Sequence, residues 1–448
     1  MDMRLPVSAR LPRQPLGLIE SYFAARRNVL EIIPEAALYE DVIAGRTGPQ
    51  RWMMVMAPKA IRRVLLEAVE DYPKSEATKS ILRPAIGNSM FIAEGDEWRW
   101  QRRAAAPAFA ARKVSALIPI MAAAADAAAE RIGPAAGKRA VNVHDEMVAA
   151  TLDVIADVTF GEQGVIDKTG VTRSMEVYID QAARISFLDV LGLPDWVPRP
   201  ARTAAAAGLA EMQAAADAAI ARRRRDGPRV VPDLLDLMRG AKDAETGREI
   251  GDAELRENLL TFIAAGHETT AVTLAWALYL MAAHPEMQDR AAAEAASALD
   301  ALRAGEPDAA PFVRQVVEET LRLYPPGAFL SRTARAEDSL AGAEVRPGDT
   351  VMIPVYALHR HRKLWSDPDA FFPDRFADSR PQRYSYLPFS DGPRICIGAR
   401  FALQEAVVVL ATLLSRFRFT PVKGRAPKPV MILSLRPEGG VWLETSPR

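Results

Sequence analysis

A single cysteine in the whole chain, Cys396, is what most limits how this sequence can be held together. No disulfide can form within the chain and no all-cysteine metal site is possible, so a packed core must carry the fold. Composition allows this: 49% of the 448 residues are apolar, enough for a large core and too many for global disorder. Length alone admits one large domain or two or three ordinary ones. Basic and acidic residues number 57 each. A chain with zero formal net charge has no field of one sign to offer nucleic acid.

Met1 to Gln14 sets Arg4, Arg10 and Arg13 among prolines without an apolar run. Residues 1–20 therefore read as an N-terminal arm rather than a secretory signal or membrane anchor, and the protein is expected to be cytoplasmic. The abundance of alanine and arginine points to a GC-rich bacterial genome. No repeat and no Gly/Ser linker divides residues 21–448, which read as one domain. Alanine-rich runs at 116–131, 204–225 and 253–283 mix apolar and polar positions at helical spacing. Short β-type runs lie at 52–56, 350–355 and 440–443. The expected fold is mainly α, with small sheets on the N-terminal side and near the C-terminus. Strand and helix do not alternate as in a dinucleotide-binding domain, and no GxGxxG or Walker-type loop suggests a fused nicotinamide or flavin domain.

Cys396 lies in Phe389-Ser390-Asp391-Gly392-Pro393-Arg394-Ile395-Cys396-Ile397-Gly398. A lone cysteine is commonly just a small buried hydrophobe. Here Gly392 and Gly398 bracket it, which suits a tight turn bringing backbone close to a flat partner. Arg394 can meet an anionic group of that partner. Residues 399–414 read as an apolar helix, so the sulfur would lie near a helix N-terminus whose amides stabilise a thiolate. The decapeptide resembles the heme-binding signature of the cytochrome P450 family, Phe-x-x-Gly-x-Arg-x-Cys-x-Gly, and fills every fixed position. Ser390 stands where that family often has glycine.

Three more segments carry the resemblance in family order. Glu319-Thr320-Leu321-Arg322 places Glu319 and Arg322 on one helix face, which taken alone reads as a solvated surface pair. In the family this motif pairs with a downstream arginine to lock the core behind the cysteine, and Phe372-Pro373-Asp374-Arg375-Phe376 matches that partner, with Asp374 where glutamate is usual. Ala265-Gly266-His267-Glu268-Thr269-Thr270 interrupts a helical run with a glycine costing about 1 kcal/mol relative to alanine. Thr269 can bond a carbonyl one turn back, bending the helix toward a widened turn. The hexapeptide resembles the family's distal-helix motif, whose acid and alcohol handle protons for oxygen activation. By that resemblance Thr269 and Glu268 are the catalytic pair, Glu268 relaying protons from solvent, and Ala265 and Gly266 lie against the cofactor. Trp98 and Arg102, four apart, can present an indole N–H and a guanidinium together. In the family they bind heme propionates, a role shared by position with Arg394 and Arg332, with Arg335 as a competitor for the latter.

The resemblance spans nearly the whole chain and implies the cytochrome P450 fold: an α-helical prism with small sheets, heme b (iron protoporphyrin IX) between the distal helix and the cysteine loop. It implies Cys396 as the iron ligand, with Phe389 and Gly398 in the cofactor loop. The implied reaction is monooxygenation: one atom of O2 enters a lipophilic substrate, with electrons from a separate ferredoxin or flavodoxin and its reductase. About fifty residues follow Cys396, room for a final helix and hairpin but no reductase. Pocket candidates are Ile81, Leu82, Phe91, Phe187, Leu188, Phe262, Ala265, Ala328, Phe329 and Leu433. Arg99, Arg103, Arg112 and Lys113 are candidates for docking an acidic redox partner. Arg222 to Arg225 read as a solvated helix end. His359 and His361 alternate without a third metal ligand and read as structural. The alternatives are a peroxygenase, isomerase or dehydratase on the same fold, or a heme-binding sensor without turnover.

Overall fold

Alanine-rich runs with apolar residues at helical spacing do form the long helices, and the longest of them is the axis on which the rest packs. The structure, a computed structural model, describes residues 5–48, 50–161, 200–230, 232–243, 246–306, 308–377 and 380–448. The longer helices are α1 (Leu18–Arg27), α2 (Glu76–Ile86), α3 (Gly95–Ala105), α4 (Ile118–Ile132) and α5 (Val143–Phe160), followed by α6 (Pro200–Asp226), α7 (Asp252–Ala283), α8 (Pro285–Arg303), α9 (Pro311–Leu323) and α10 (Ala399–Arg416). Helix α7 starts with Asp252 and Glu254 against its N-terminal amides. It is buried on every side from Ala271 to Leu278, as a helix apolar all round must be. It ends where His284 Nδ1 reaches the Leu280 carbonyl at 2.8 Å and Pro285 begins α8. Helices α5, α6 and α10 pack along it.

Four strands, β1 (Val42–Thr47), β2 (Gln50–Val55), β3 (Leu330–Thr333) and β4 (Thr350–Ile353), form a sheet in the order β1-β2-β4-β3. A hairpin of β5 (Lys428–Met431) and β6 (Leu435–Glu438) lies against α7, whose Trp276 Nε1 donates to the Leu435 carbonyl at 3.0 Å. Two expected strands shift. The run at 350–355 stops at Ile353 because Pro354 has no N–H for the ladder, and Val355–Leu358 turns into a short helix. The run at 440–443 begins only at Trp442, since Gly440 turns at φ +78°. Near the N-terminus, Val7 N–H donates to Tyr279 Oη at 3.2 Å and the Val7 carbonyl accepts from Tyr324 Oη at 2.7 Å. Ala9 N–H donates to Tyr356 Oη at 2.9 Å.

Glu319 and Arg322, on one face of α9, are wholly enclosed, so this is no surface pair. Arg322 Nε and Nη2 donate to the two carboxylate oxygens at 2.7 and 2.8 Å, and Arg375 Nε adds a third bond at 3.1 Å. The rest of the guanidinium donates to the carbonyls of His359, Pro368 and Ala370 at 2.7 to 2.9 Å. Asp374 pairs outward with Arg290 at 2.8 Å. His359 continues the chain of bonds: Nδ1 lies 3.1 Å from the Arg322 carbonyl, and Nε2 accepts from Leu387 N–H at 2.8 Å, two residues before the cysteine motif. Among the described residues no cluster fit to hold a metal involves His359 or His361. Arg322→Ala should strand a buried carboxylate and cost about 3–5 kcal/mol of stability, read by urea unfolding.

Burial, then the charge of Arg322, pushes the His359 pKa down to about 3. Unfolded, the same imidazole titrates near 6.5, so between those values only the unfolded chain takes up its proton. Its stabilising contribution is complete above pH 6.5 and is lost as pH falls toward 3. Between pH 7 and 5 wild type should lose more stability than His359→Gln, measured as urea midpoints. Equal losses would remove His359 from this role.

Candidate active site

The loop from Phe389 to Gly398 is built by backbone demands that side-chain chemistry then uses. Ser390 sits at φ +62° and Gly392 at φ +74°, both in the left-handed region. Glycine is favoured at the first position, so the serine there holds a strained backbone, and its Oγ is buried without a partner among the described residues. At Gly392 a Cβ would stand 2.0 Å from the Leu65 carbonyl oxygen, so no side chain fits. Gly398 has an ordinary backbone, φ −87°, and caps α10; its missing Cβ would face the Cys396 sulfur at 4.0 Å. The Cys396 N–H donates to the Phe389 carbonyl at 2.9 Å, closing the loop. Burial pushes the thiol pKa up, while the Gly398 N–H, Arg102 and Lys74 act to hold it down.

Four cations form a cluster to one side of this sulfur, with Arg102 and Lys74 acting on it directly. Arg102, half-buried on α3, donates to the Ile395 carbonyl at 2.7 Å, beside Cys396. Arg394 lies over the Trp98 ring, 4.5 Å from its centroid, and pairs with Glu94. Arg332 on β3 is 6% exposed; its Nη1 reaches only the Ser331 carbonyl, and its Nε has no partner among the described residues. Burial, then repulsion from Arg394, pushes the Arg332 pKa down to about 10. Lys74 bridges to Arg332 through the backbone, stands 3.5 Å over the Phe91 ring, and is driven well below its usual pKa by burial, then by Arg332 and Arg394. Glu94 is the acid bonded within this cluster, also accepting from the Lys74 N–H at 3.0 Å and lying 3.6 Å from Lys79, and Glu70 adds a second negative charge near Arg394. Uncompensated cations facing one another call for an anionic ligand, and planar guanidinia suit carboxylates. A flat cofactor carrying carboxylates and an iron fits this donor set: sulfur at a helix N-terminus, cations to one side. Arg335, by contrast, is exposed. Lys74 escaped the sequence reading because no motif marks it.

On α7, Thr269 Oγ1 donates to the Ala265 carbonyl at 2.6 Å, the back-bond expected one turn away. The helix nonetheless stays α-helical and continuous through Gly266, so the glycine does not interrupt it. A Cβ on Gly266 would meet Ile155 of α5 at 3.1 Å, so close packing of α5 supplies the glycine's reason. Ala265 is exposed midway along the helix, and Thr269, one turn on, is half-exposed. The Phe262 ring lies tilted against that of Phe109, centroids 5.2 Å apart, and Phe109 borders Gly398, which joins the distal helix to the cysteine loop. Glu268 is 4% exposed and accepts from Ser434 Oγ at 2.6 Å and Arg436 Nε at 2.5 Å, both on or beside the β5–β6 hairpin. Neither partner was legible from sequence.

The pocket candidates divide. Ala328 is fully enclosed and Phe262 nearly so, because both pack into the core, and neither offers an open wall. Ile81, Leu82, Phe329 and Leu433 are half-buried, while Ala265 and Phe91 are accessible. Phe187 and Leu188 lie outside the described residues. Of the docking candidates, Arg99 pairs with Glu70 and Asp96 and Arg103 with Asp243, while Arg112 and Lys113 are exposed. No helix among the described residues is long and apolar enough to cross a membrane.

A cysteine loop on a helix N-terminus, a cation cluster beside it and an acid–alcohol pair on a long buried helix together define a heme-thiolate protein. The sequence profile described as Cytochrome P450 matches residues 30–444, and the chain belongs to that family. It is 32% identical over 415 residues to the cyclooctat-9-en-7-ol 5-monooxygenase of Streptomyces melanosporofaciens, covering 91% of this chain and 88% of that one. It is 30% identical to cyclooctatin synthase of the same organism, over 92% and 90% of the two chains. It is also 29% identical to human cytochrome P450 4F12, over 96% and 87%. The protein is a heme-thiolate monooxygenase, an oxygen-incorporating oxidoreductase that uses O2, an organic substrate and a redox partner.

Gly392→Ala should drive a methyl into the Leu65 backbone and abolish heme retention. Ser390→Gly should relieve strain and stabilise by about 1 kcal/mol. Both are read by heme content after gel filtration and by thermal unfolding.

Proposed function

We propose that Cys396 ligates the iron of heme b, that Arg332, Arg394, Arg102, Lys74 and the Trp98 indole hold its propionates, and that Glu268 and Thr269 supply protons to the oxygen chemistry. The observation that carries this is the Cys396 sulfur at the N-terminus of α10 with a cation cluster to one side, in which Arg332 keeps a buried Nε without a partner among the described residues. When bound, the heme activates dioxygen, and its thiolate ligand favours O–O cleavage. The chain's own residues do the rest. The Gly398 amide steadies charge on the sulfur. Thr269 Oγ1, its hydrogen given to the Ala265 carbonyl, keeps lone pairs free to accept a hydrogen bond in the distal pocket. Glu268 stands one residue away as a carboxylate able to deliver protons. Phe389 and Gly398 shape the cysteine loop, and Ala265 leaves room on the distal helix.

The substrate is lipophilic in this reading. Its support is the apolar set Ile81, Leu82, Phe329, Leu433 and Ala265, with a relative named for oxidising cyclooctat-9-en-7-ol. Electrons come from a separate ferredoxin or flavodoxin and its reductase in the cytoplasm of a bacterium. The exposed Arg112 and Lys113 suit an acidic donor.

Cys396→Ser should lose the red-shifted Soret band of the reduced carbon-monoxide complex; a retained band would end the thiolate assignment. Thr269→Ala should lower product formed per O2 consumed by about tenfold or more, and unchanged coupling would remove its role. Product formation with peroxide alone, and none with O2 and an electron donor, would favour a peroxygenase.

A further inference from the structure

The chain has five histidines, and three of them are tied to backbone groups: His284 to Leu280, His359 to Arg322 and Leu387, His361 to Glu40 and Lys363. The other two stand on α7 and on α5, the helix packed along it. His267 of α7 is 4% exposed, and neither ring nitrogen has a hydrogen-bond partner among the described residues. His144, on the first turn of α5, has a buried Nε2 that is also without a partner. Its Nδ1 stands 3.8 Å from Asp145, whose side chain is 73% exposed. Helices α5 and α7 are drawn together here, with Thr151 Oγ1 2.8 Å from the His267 carbonyl and Gly266 giving way to Ile155. The next residue after His267 is Glu268, whose carboxylate is fixed by Ser434 and Arg436.

We propose that His144 and His267, joined by buried water, form the proton supply line to Glu268, entering from solvent at Asp145. This rests on the reading of Glu268 as the proton donor for the oxygen chemistry. Buried imidazole nitrogens without protein partners are costly, and water is the group that satisfies two to four such atoms in a polar pocket. The neighbouring charges suit the task. Burial is the main cause that lowers both imidazole pKa values, His267 to about 4; Glu268 opposes it, Arg436 adds to it, and Asp145 opposes it at His144. Both rings are therefore neutral near pH 7, each with one donor and one acceptor nitrogen. Such a ring takes a proton at one nitrogen while releasing another from its second, so its charge is unchanged and it ends as the other tautomer, which a ring flip or exchange with the adjoining water resets before the next proton. The proton reaching Glu268 is passed on and consumed with the electrons in reducing the second oxygen atom to water.

The test uses the heme-loaded protein. In its diamagnetic carbon-monoxide complex, with 15N-labelled histidine, the ring N–H signals of His144 and His267 should exchange with water within the mixing time. Assignment comes from the two His→Asn variants. A crystal structure should show water within hydrogen-bond reach of both rings. Ring protons protected from exchange, or a dry pocket, would overturn the proposal. Oxygen uptake is then driven by a ferredoxin and its reductase, with the compound giving the largest spin-state shift as substrate. His267→Leu should slow uptake about tenfold without changing the spin-shift affinity. Since the groups act in series, adding Glu268→Gln should slow it little more. Should His267→Leu fail to fold, His144→Leu, nearer the surface, carries the same expectation. A slow Glu268→Gln beside an unimpaired histidine variant would sink the supply line and leave the Glu268 reading standing. If all three variants keep full rate, both fall.

Discussion

Everything around the cysteine depends on one buried ion pair. Glu319 and Arg322 have no solvent to fall back on, and a carboxylate and guanidinium removed from water repay that cost only if every lone pair and proton is used. Here they are. Arg375 and the Phe372 N–H complete the carboxylate, and three carbonyls complete the guanidinium. Those carbonyls belong to the segment between β4 and the cysteine loop, so satisfying the pair and folding that segment are one event. His359 then hands the constraint to Leu387, and from there to the loop that presents Cys396. The position of the sulfur is thus set from α9 as well as by the loop's own backbone.

The front of the site obeys the opposite rule. Behind the cysteine the Glu319–Arg322 pair is fully matched; beside it Arg332, Lys74, Arg394 and Arg102 outnumber Glu94. A protein leaves buried cations unmatched only where something else supplies the anions. The fold therefore separates charge used for holding from charge used for binding.

How much was legible follows from how local each feature is. The cysteine loop, the Glu319–Arg322 pair and the distal helix are short patterns whose residues act within a turn or two, and they could be read directly. Gly266 was also visible, but its cause was not: what it admits is Ile155 from another helix. Lys74, Ser434 and Arg436 belong to no local pattern. They reach the site through β-bridging and hairpin docking, contacts between residues up to hundreds of positions apart. Ser390 stood out as a departure from the family's glycine, and only the backbone reveals what the departure means, a side chain held where L-residues rarely sit.

Glu94 gives the cation cluster a second property. Arg394 is already engaged by this acid, so an incoming propionate does not meet a bare guanidinium; it competes for one. The free energy of cofactor capture is then a difference, the new contacts less those surrendered by Glu94. An internal rival of this kind lowers apparent affinity below the intrinsic strength of the site, and in exchange the pocket need not carry the full repulsion of its cations while the chain folds.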